Sequence, residues 1–184
     1  MSSHEPLTVG TAGHVDHGKS ALVSAMTGSP MDRLPEERAR GMTITLGYAA
    51  LTLPGGRVLS LIDVPGHERL VRVMVSGATG IDLFLLAIAA DDGVMPQTVE
   101  HLRVLRGLGV RAGVIAVTKA DLADPGPAMR GASALVPGAP VVSCSARTGM
   151  GVQDVSVALA RVAGEVYEGH AAAAQLAIDD IVWR

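Results

Sequence analysis

Gly13-His14-Val15-Asp16-His17-Gly18-Lys19-Ser20 follows the spacing G-x-x-x-x-G-K-[ST], with a β-rich run before it and a helical run after it. That setting suits a phosphate-binding loop. The glycines let successive backbone N–H groups turn inward around an anion, and the helix N-terminus adds its partial positive charge. Lys19 would bridge the β- and γ-phosphates of a nucleoside triphosphate, and the Ser20 hydroxyl would ligate Mg²⁺. A second cluster, Asp63-Val64-Pro65-Gly66, closes an apolar strand. D-x-x-G is by itself a common turn. Beside a phosphate loop it becomes a carboxylate that can hold Mg²⁺ through water, followed by a glycine whose backbone can approach the γ-phosphate.

The base is addressed by Thr118-Lys119-Ala120-Asp121, which follows the apolar strand Gly113–Val117. In an open α/β sheet, ligands sit outside the carboxyl ends of the strands. A carboxylate there can accept both the N1–H and N2–H₂ of guanine. Adenine offers no such donor pair, so Asp121 would select guanine by leaving the wrong base unpaired. The Lys119 stem can lie along the base. Thirteen of the 15 basic residues are arginine, and the two lysines, Lys19 and Lys119, both fall in this candidate site.

The elements that must position these residues alternate. Strand-like runs occur at Leu7–Ala12, Ile44–Leu53, Val58–Val64, Leu83–Ala89, Gly113–Thr118 and Pro140–Ser143. Helical stretches lie at Lys19–Thr27, Glu68–Thr79, Gln97–Leu108 and Val152–Val162. Continuous apolar strands with interleaved helices predict a mostly parallel sheet covered on both faces. Pro54-Gly55-Gly56 is too short for a crossover, so the second and third strands must form an antiparallel hairpin at one edge. The expected fold is α/β, a three-layer P-loop NTPase fold with one antiparallel edge strand.

With 184 residues, 48% hydrophobic and 18% charged, the chain can bury a full core and is not a disordered tail. A net charge of −3 gives no global attraction to nucleic acid or anionic membrane. The longest apolar run, Leu83–Ala90, is too short to span a bilayer, and no membrane role is expected. The single cysteine, Cys144, cannot form an internal disulfide, which fits a cytoplasmic home. No histidine or cysteine spacing suggests zinc. His4, His101 and His170 read as solvated, as do the basic pairs Arg69/Arg72 and Arg103/Arg106.

Together and in this order the motifs resemble those of translational GTPases. Gly13–Ser20 has that class's GHVDHGKS form, Arg38–Ile44 resembles its first switch, and Asp63–Glu68 (DVPGHE) its second. Asp32–Tyr48 and Asp91–His101 look more narrowly like the selenocysteine-specific elongation factors, as does threonine at position 118 in place of asparagine. The short span from Lys19 to Thr43 suits that group better than elongation factor Tu. The resemblance covers residues 7–164. It implies a GTP-binding domain over 1–164, a linker over 165–175, and in 176–184 the strand-like start of a β-barrel domain.

The resemblance further implies GTP and GDP as ligands with Mg²⁺, and hydrolysis that is slow unless the ribosome stimulates it. Thr43 would ligate Mg²⁺ and contact the γ-phosphate, His67 would orient the attacking water, and Val15 and Met42 would flank that histidine. A monovalent cation is implied near Asp16, and Ser145-Ala146 would present backbone N–H to guanine O6. Selenocysteinyl-tRNA and a directing RNA element would be partners only through domains outside this chain. The segment between Asp121 and Val141 departs from the family, which places a longer helix there. Its four prolines and three glycines predict at most two turns, near Ala128–Val136. Two other readings stay open: a non-hydrolysing guanine-nucleotide-binding remnant, and another translational GTPase such as the gamma subunit of initiation factor two.

Overall fold

The structure is a computed structural model that describes residues 6–29, 47–63 and 80–182. Thr43, Gly66 and His67, with Met42, the switch segments and the helix expected at Glu68–Thr79, lie outside the described residues. The elements run β1 (Thr8–Gly13), α1 (Lys19–Thr27), β2 (Gly47–Thr52), β3 (Val58–Asp63), β4 (Leu83–Ala89), α2 (Pro96–Gly107), β5 (Ala112–Thr118), α3 (Gly126–Leu135), β6 (Val141–Ser143) and α4 (Val152–Val182).

The strands form one sheet in the order β2-β3-β1-β4-β5-β6. Only β2 and β3 pair antiparallel, from Gly47↔Asp63 to Thr52↔Val58, and β1 pairs parallel with both β3 and β4. The mostly parallel sheet with one antiparallel edge strand is therefore as expected. Every residue of β4 is buried, and its side chains alternate between two cores. Leu83 and Leu85 join Val9, Leu22, Leu61 and Leu159 beneath α1 and α4. Phe84, Leu86 and Ile88 join Leu102, Leu105, Ala128 and Ala132 beneath α2 and α3. Each such fully buried leucine, isoleucine or phenylalanine contributes about 1.5–3 kcal/mol, so the central strands are fixed from both sides. The parallel arrangement brings the C-terminal ends of β1, β3, β4, β5 and β6 to one edge of the sheet.

Two helices differ from the sequence reading. α3 spans 10 residues, nearly three turns rather than at most two. Pro125 is its N-cap and Pro127 falls in its first turn, where the missing N–H would have no helical partner. α4 runs from Val152 to Val182, so residues 176–182 continue a helix where strand-like segments were expected. Its first turns are anchored by Val152, Val155, Leu159, Val162 and Ala163. Once nucleated there, the helix propagates through the alanine-rich stretch, which contains no proline. The Tyr167 hydroxyl accepts the Leu7 N–H at 3.2 Å, which ties α4 to the start of β1.

Candidate nucleotide site

The phosphate loop leaves β1 at Gly13 and enters α1 at Lys19. Gly13 (φ 129°), Asp16 (φ 63°) and Gly18 (φ 74°) all have positive φ. A Cβ at Gly13 would run into the Ala87 carbonyl oxygen, so β1 and β4 approach there only because the residue is glycine. Gly18, the α1 N-cap, has no side chain to cap the first turn, and no acidic residue lies in that turn. An uncapped helix start beneath a loop of positive φ is a cradle for an anion. The Lys19 ammonium lies over the loop and donates to the carbonyls of His14 (2.7 Å) and Gly13 (3.2 Å).

The loop is held from outside by side chains of two other elements. On α2, the buried Gln97 accepts the Val15 N–H through Oε1 at 3.1 Å, and the buried His101 accepts the Gly13 N–H through Nδ1 at 3.1 Å. At the end of β5, the Thr118 hydroxyl donates to the His17 carbonyl at 2.8 Å. The His17 ring turns inward: it is fully buried, its Nδ1 lies 3.3 Å from the Ala87 carbonyl, and its Nε2 lies 3.6 Å from Asp92. Burial pushes its pKa below the ordinary value. A nucleotide would therefore meet the backbone of His17 and not its ring. His101, expected to be solvated, is instead a buried support of the loop.

The base side is assembled from β5 and β6. Lys119 adopts φ 55°, an uncommon conformation for a non-glycine residue, and its ammonium pairs with Asp91 at 3.0 Å. The Ala120 N–H donates to the Cys144 carbonyl and the Cys144 N–H to the Val117 carbonyl, which stitches the 118–121 loop to the end of β6. The Ser145 N–H donates to Met150, and the Ser145 hydroxyl accepts the Thr148 N–H, closing the 145–150 turn. Asp121 is held low in pKa by the Ser145 hydroxyl and the Arg147 guanidinium, so it is ionised at neutral pH. Burial pushes the Cys144 thiol up to about 11, which makes it a core residue and not a nucleophile.

Of the residues singled out in the sequence, 13–20, Thr118, Lys119, Asp121, Ser145 and Ala146 are thus brought to one sheet edge. Asp63 ends β3 at that edge, two strands from β4. Aspartate and serine are hard oxygen donors, the residue chemistry that suits Mg²⁺. Sequence reading missed Gln97, His101, Asp91, Asp92 and Arg147. The first two carried a signal, since polar residues at i and i+4 share one helix face. No group of three or more His, Cys, Asp or Glu side chains that could hold a metal ion occurs among the described residues. No helix among them is long and apolar enough to cross a membrane.

Comparison with known proteins agrees with this geometry. The family model of the elongation factor Tu GTP-binding domain matches residues 4–165. The selenocysteine-specific elongation factor of Desulfomicrobium baculatum is 50% identical over 158 residues, covering 82% of this chain and 25% of that protein. That of Escherichia coli is 55% identical over 118 residues, covering 64% and 19%. Among solved structures, bacterial selenocysteine-specific elongation factor EF-Sec superposes with a TM-score of 0.79 at 35% identity, covering 88% of this chain and 29% of the other. Elongation factor SelB of Methanococcus maripaludis, solved with a GTP analogue, gives 0.70 at 27% identity, covering 89% and 35%. The chain spans about a fifth to a third of the length of these relatives. It belongs to the family of elongation factor Tu GTP-binding domains, and within that family it is homologous to the G domain of the selenocysteine-specific elongation factors.

Proposed function

We propose that this G domain binds GTP and GDP and hydrolyses GTP by in-line attack of water on the γ-phosphate. The observation that carries the reading is the convergence of a positive-φ phosphate loop and an ionised Asp121 on one edge of the sheet. Lys19 and the inward backbone N–H groups would spread the charge that develops on the transferring phosphoryl group. Ser20, Thr43 and Asp63 are the residues proposed to hold Mg²⁺, which would supply positive charge to offset that of the phosphates. His67 is proposed to orient the water, with Gly66 donating a backbone N–H to the γ-phosphate. Because the Ser145 N–H is used by Met150, the backbone donor to guanine O6 would be that of Ala146. Asp16 is proposed to face a monovalent cation.

The unstimulated rate should be on the order of 10⁻³ s⁻¹ or less, as in switches without an arginine finger. Acceleration by the ribosome, delivery of selenocysteinyl-tRNA and a cytoplasmic site of action extend the proposal to the whole protein. Residues 1–164 would constitute the nucleotide-binding unit, with 165–175 and 176–184 leading out of it. The test is equilibrium binding of fluorescent GDP and a non-hydrolysable GTP analogue, with and without Mg²⁺, against ATP as competitor. Submicromolar to micromolar binding that ATP does not displace is expected, tighter with Mg²⁺ for the triphosphate. Equal competition by ATP would overturn the role of Asp121.

A further inference from the structure

The carboxylate that would read guanine is already engaged. Arg147 donates through Nε to Asp121 Oδ2 at 2.8 Å, and its Nη2 lies 2.6 Å from the same oxygen in an ion pair. A carboxylate oxygen has about two acceptor sites, so one hydrogen bond and a close guanidinium contact crowd Oδ2. Guanine presents two N–H donors side by side and needs both oxygens of the carboxylate, just as a bidentate guanidinium does. The two partners are therefore exclusive at Oδ2.

The surroundings show which of them can move. The Asp121 side chain is only 11% exposed, whereas that of Arg147 is 72% exposed and reaches in from solvent. Arg147 follows Ala146 in the turn closed by the Ser145–Met150 and Ser145–Thr148 hydrogen bonds, so its side chain can swing away while the turn stays intact. We infer that Arg147 is a specificity-determining gate on the base pocket: its guanidinium occupies Asp121 Oδ2, and guanine binds by displacing it. The inference deepens the guanine-binding reading above and rests on it.

An exposed ion pair of this kind shifts a competing equilibrium by about 1.5- to fivefold. Inosine lacks the 2-amino group and asks for one carboxylate oxygen only, so it has less need to displace the arginine. The experiment measures the affinity of the full chain for fluorescent GDP and, by competition, for unlabelled inosine diphosphate. Wild type is compared with Arg147→Met, which keeps the stem, and Arg147→Gln. Both variants should bind GDP about 1.5- to fivefold tighter with little change for inosine diphosphate, so the preference for guanine over hypoxanthine grows. The gap between wild type and variant should narrow at high salt, where an exposed pair is screened. Equal weakening of both nucleotides would overturn the gate in favour of a guanidinium stacked on the base. Weakening of GDP alone would overturn it in favour of a residue that positions Asp121, and unchanged affinities would show the pair to be idle. Wild type that binds neither GDP nor a GTP analogue would overturn the guanine reading itself, and the gate with it.

Discussion

Gln97 is the support of the phosphate loop whose loss is easiest to work through. Its side chain is 5% exposed, and its Oε1 is the acceptor for the Val15 N–H in the middle of the loop. Gln97→Ala removes the acceptor and leaves a partly buried backbone donor without a partner, a penalty of about 1–3 kcal/mol. That penalty has two places to appear. If the loop keeps its shape, the domain is destabilised by the full amount, and for a chain of this size each kcal/mol lowers the Tm by about 2–4 °C. If the loop instead relaxes to hydrate Val15, stability recovers and nucleotide binding must rebuild the loop. The dissociation constant then rises, tenfold for each 1.4 kcal/mol or so. Thermal melting of the free domain and stopped-flow binding of fluorescent GDP measure the two shares, and their sum should be about 1–3 kcal/mol. Gln97→Glu restores an acceptor but sets a negative charge behind the loop. It should melt below wild type, because the carboxylate is buried without a charge partner, and bind GDP more weakly. A Gln97→Ala domain with wild-type melting and wild-type affinity would refute the claim that α2 holds the loop.

Asp121→Asn turns one guanine acceptor into a donor facing the 2-amino group, while xanthine offers a carbonyl there. GDP should weaken by about a hundredfold or more, and xanthosine diphosphate should bind better than to wild type, by competition assay. Gly13→Ala combines a φ of 129° with a Cβ driven into the Ala87 carbonyl. It should cost about 2–3 kcal/mol or more in urea denaturation, whereas Gly28→Ala, with φ 69° and open space around it, should cost about 1 kcal/mol. Burial lowers the His17 pKa in the folded state, so the unfolded chain takes up the proton first as pH falls. The contribution of neutral His17 is present above about pH 6.5 and is lost as pH drops through the folded value. The stability of wild type should therefore decline from pH 7.5 toward about pH 5 more steeply than that of His17→Asn, and parallel curves would contradict the buried-neutral assignment.

The sheet was legible in the sequence because its central strands are apolar on both faces and its hairpin is marked by Pro54-Gly55-Gly56. Leu83–Ala89 and Lys19–Thr27 appear in the structure with the bounds the sequence suggested. The loops at 13–20 and 118–121 stood out in the sequence because phosphate and guanine each demand particular residue types at fixed spacing. Where the reading failed, local rules competed. The prolines of 125–140 looked like helix breakers, yet two of them fall at a helix start, where proline is tolerated. Leu176–Ile178 looked like a strand because its apolar residues could satisfy either period, and helix propagation from the packed part of α4 decided the outcome. His101 and Gln97 were passed over because α2 carries charges at Glu100, Arg103 and Arg106 and reads as a solvated helix. Its other face, with Thr98, Leu102 and Leu105, is buried. Arg147 offered no signal, since its partner is fixed only by the way the β6 turn folds toward β5.

The placement of the two lysines has a practical consequence. Lys19 lies over the phosphate loop and Lys119 at the base loop, and among side chains the protein carries no other primary amine. Acylating reagents, amine coupling to a sensor surface and enzymatic acetylation alike have only these two side-chain targets. On the nucleotide-binding reading proposed above, labelling of side-chain amines would therefore fall on the candidate site, with the α-amino group as the other amine target. Conversely, if nucleotide covers both lysines as proposed, the fraction protected from a mild acylating pulse, read by mass spectrometry, would gauge how much of the protein is loaded.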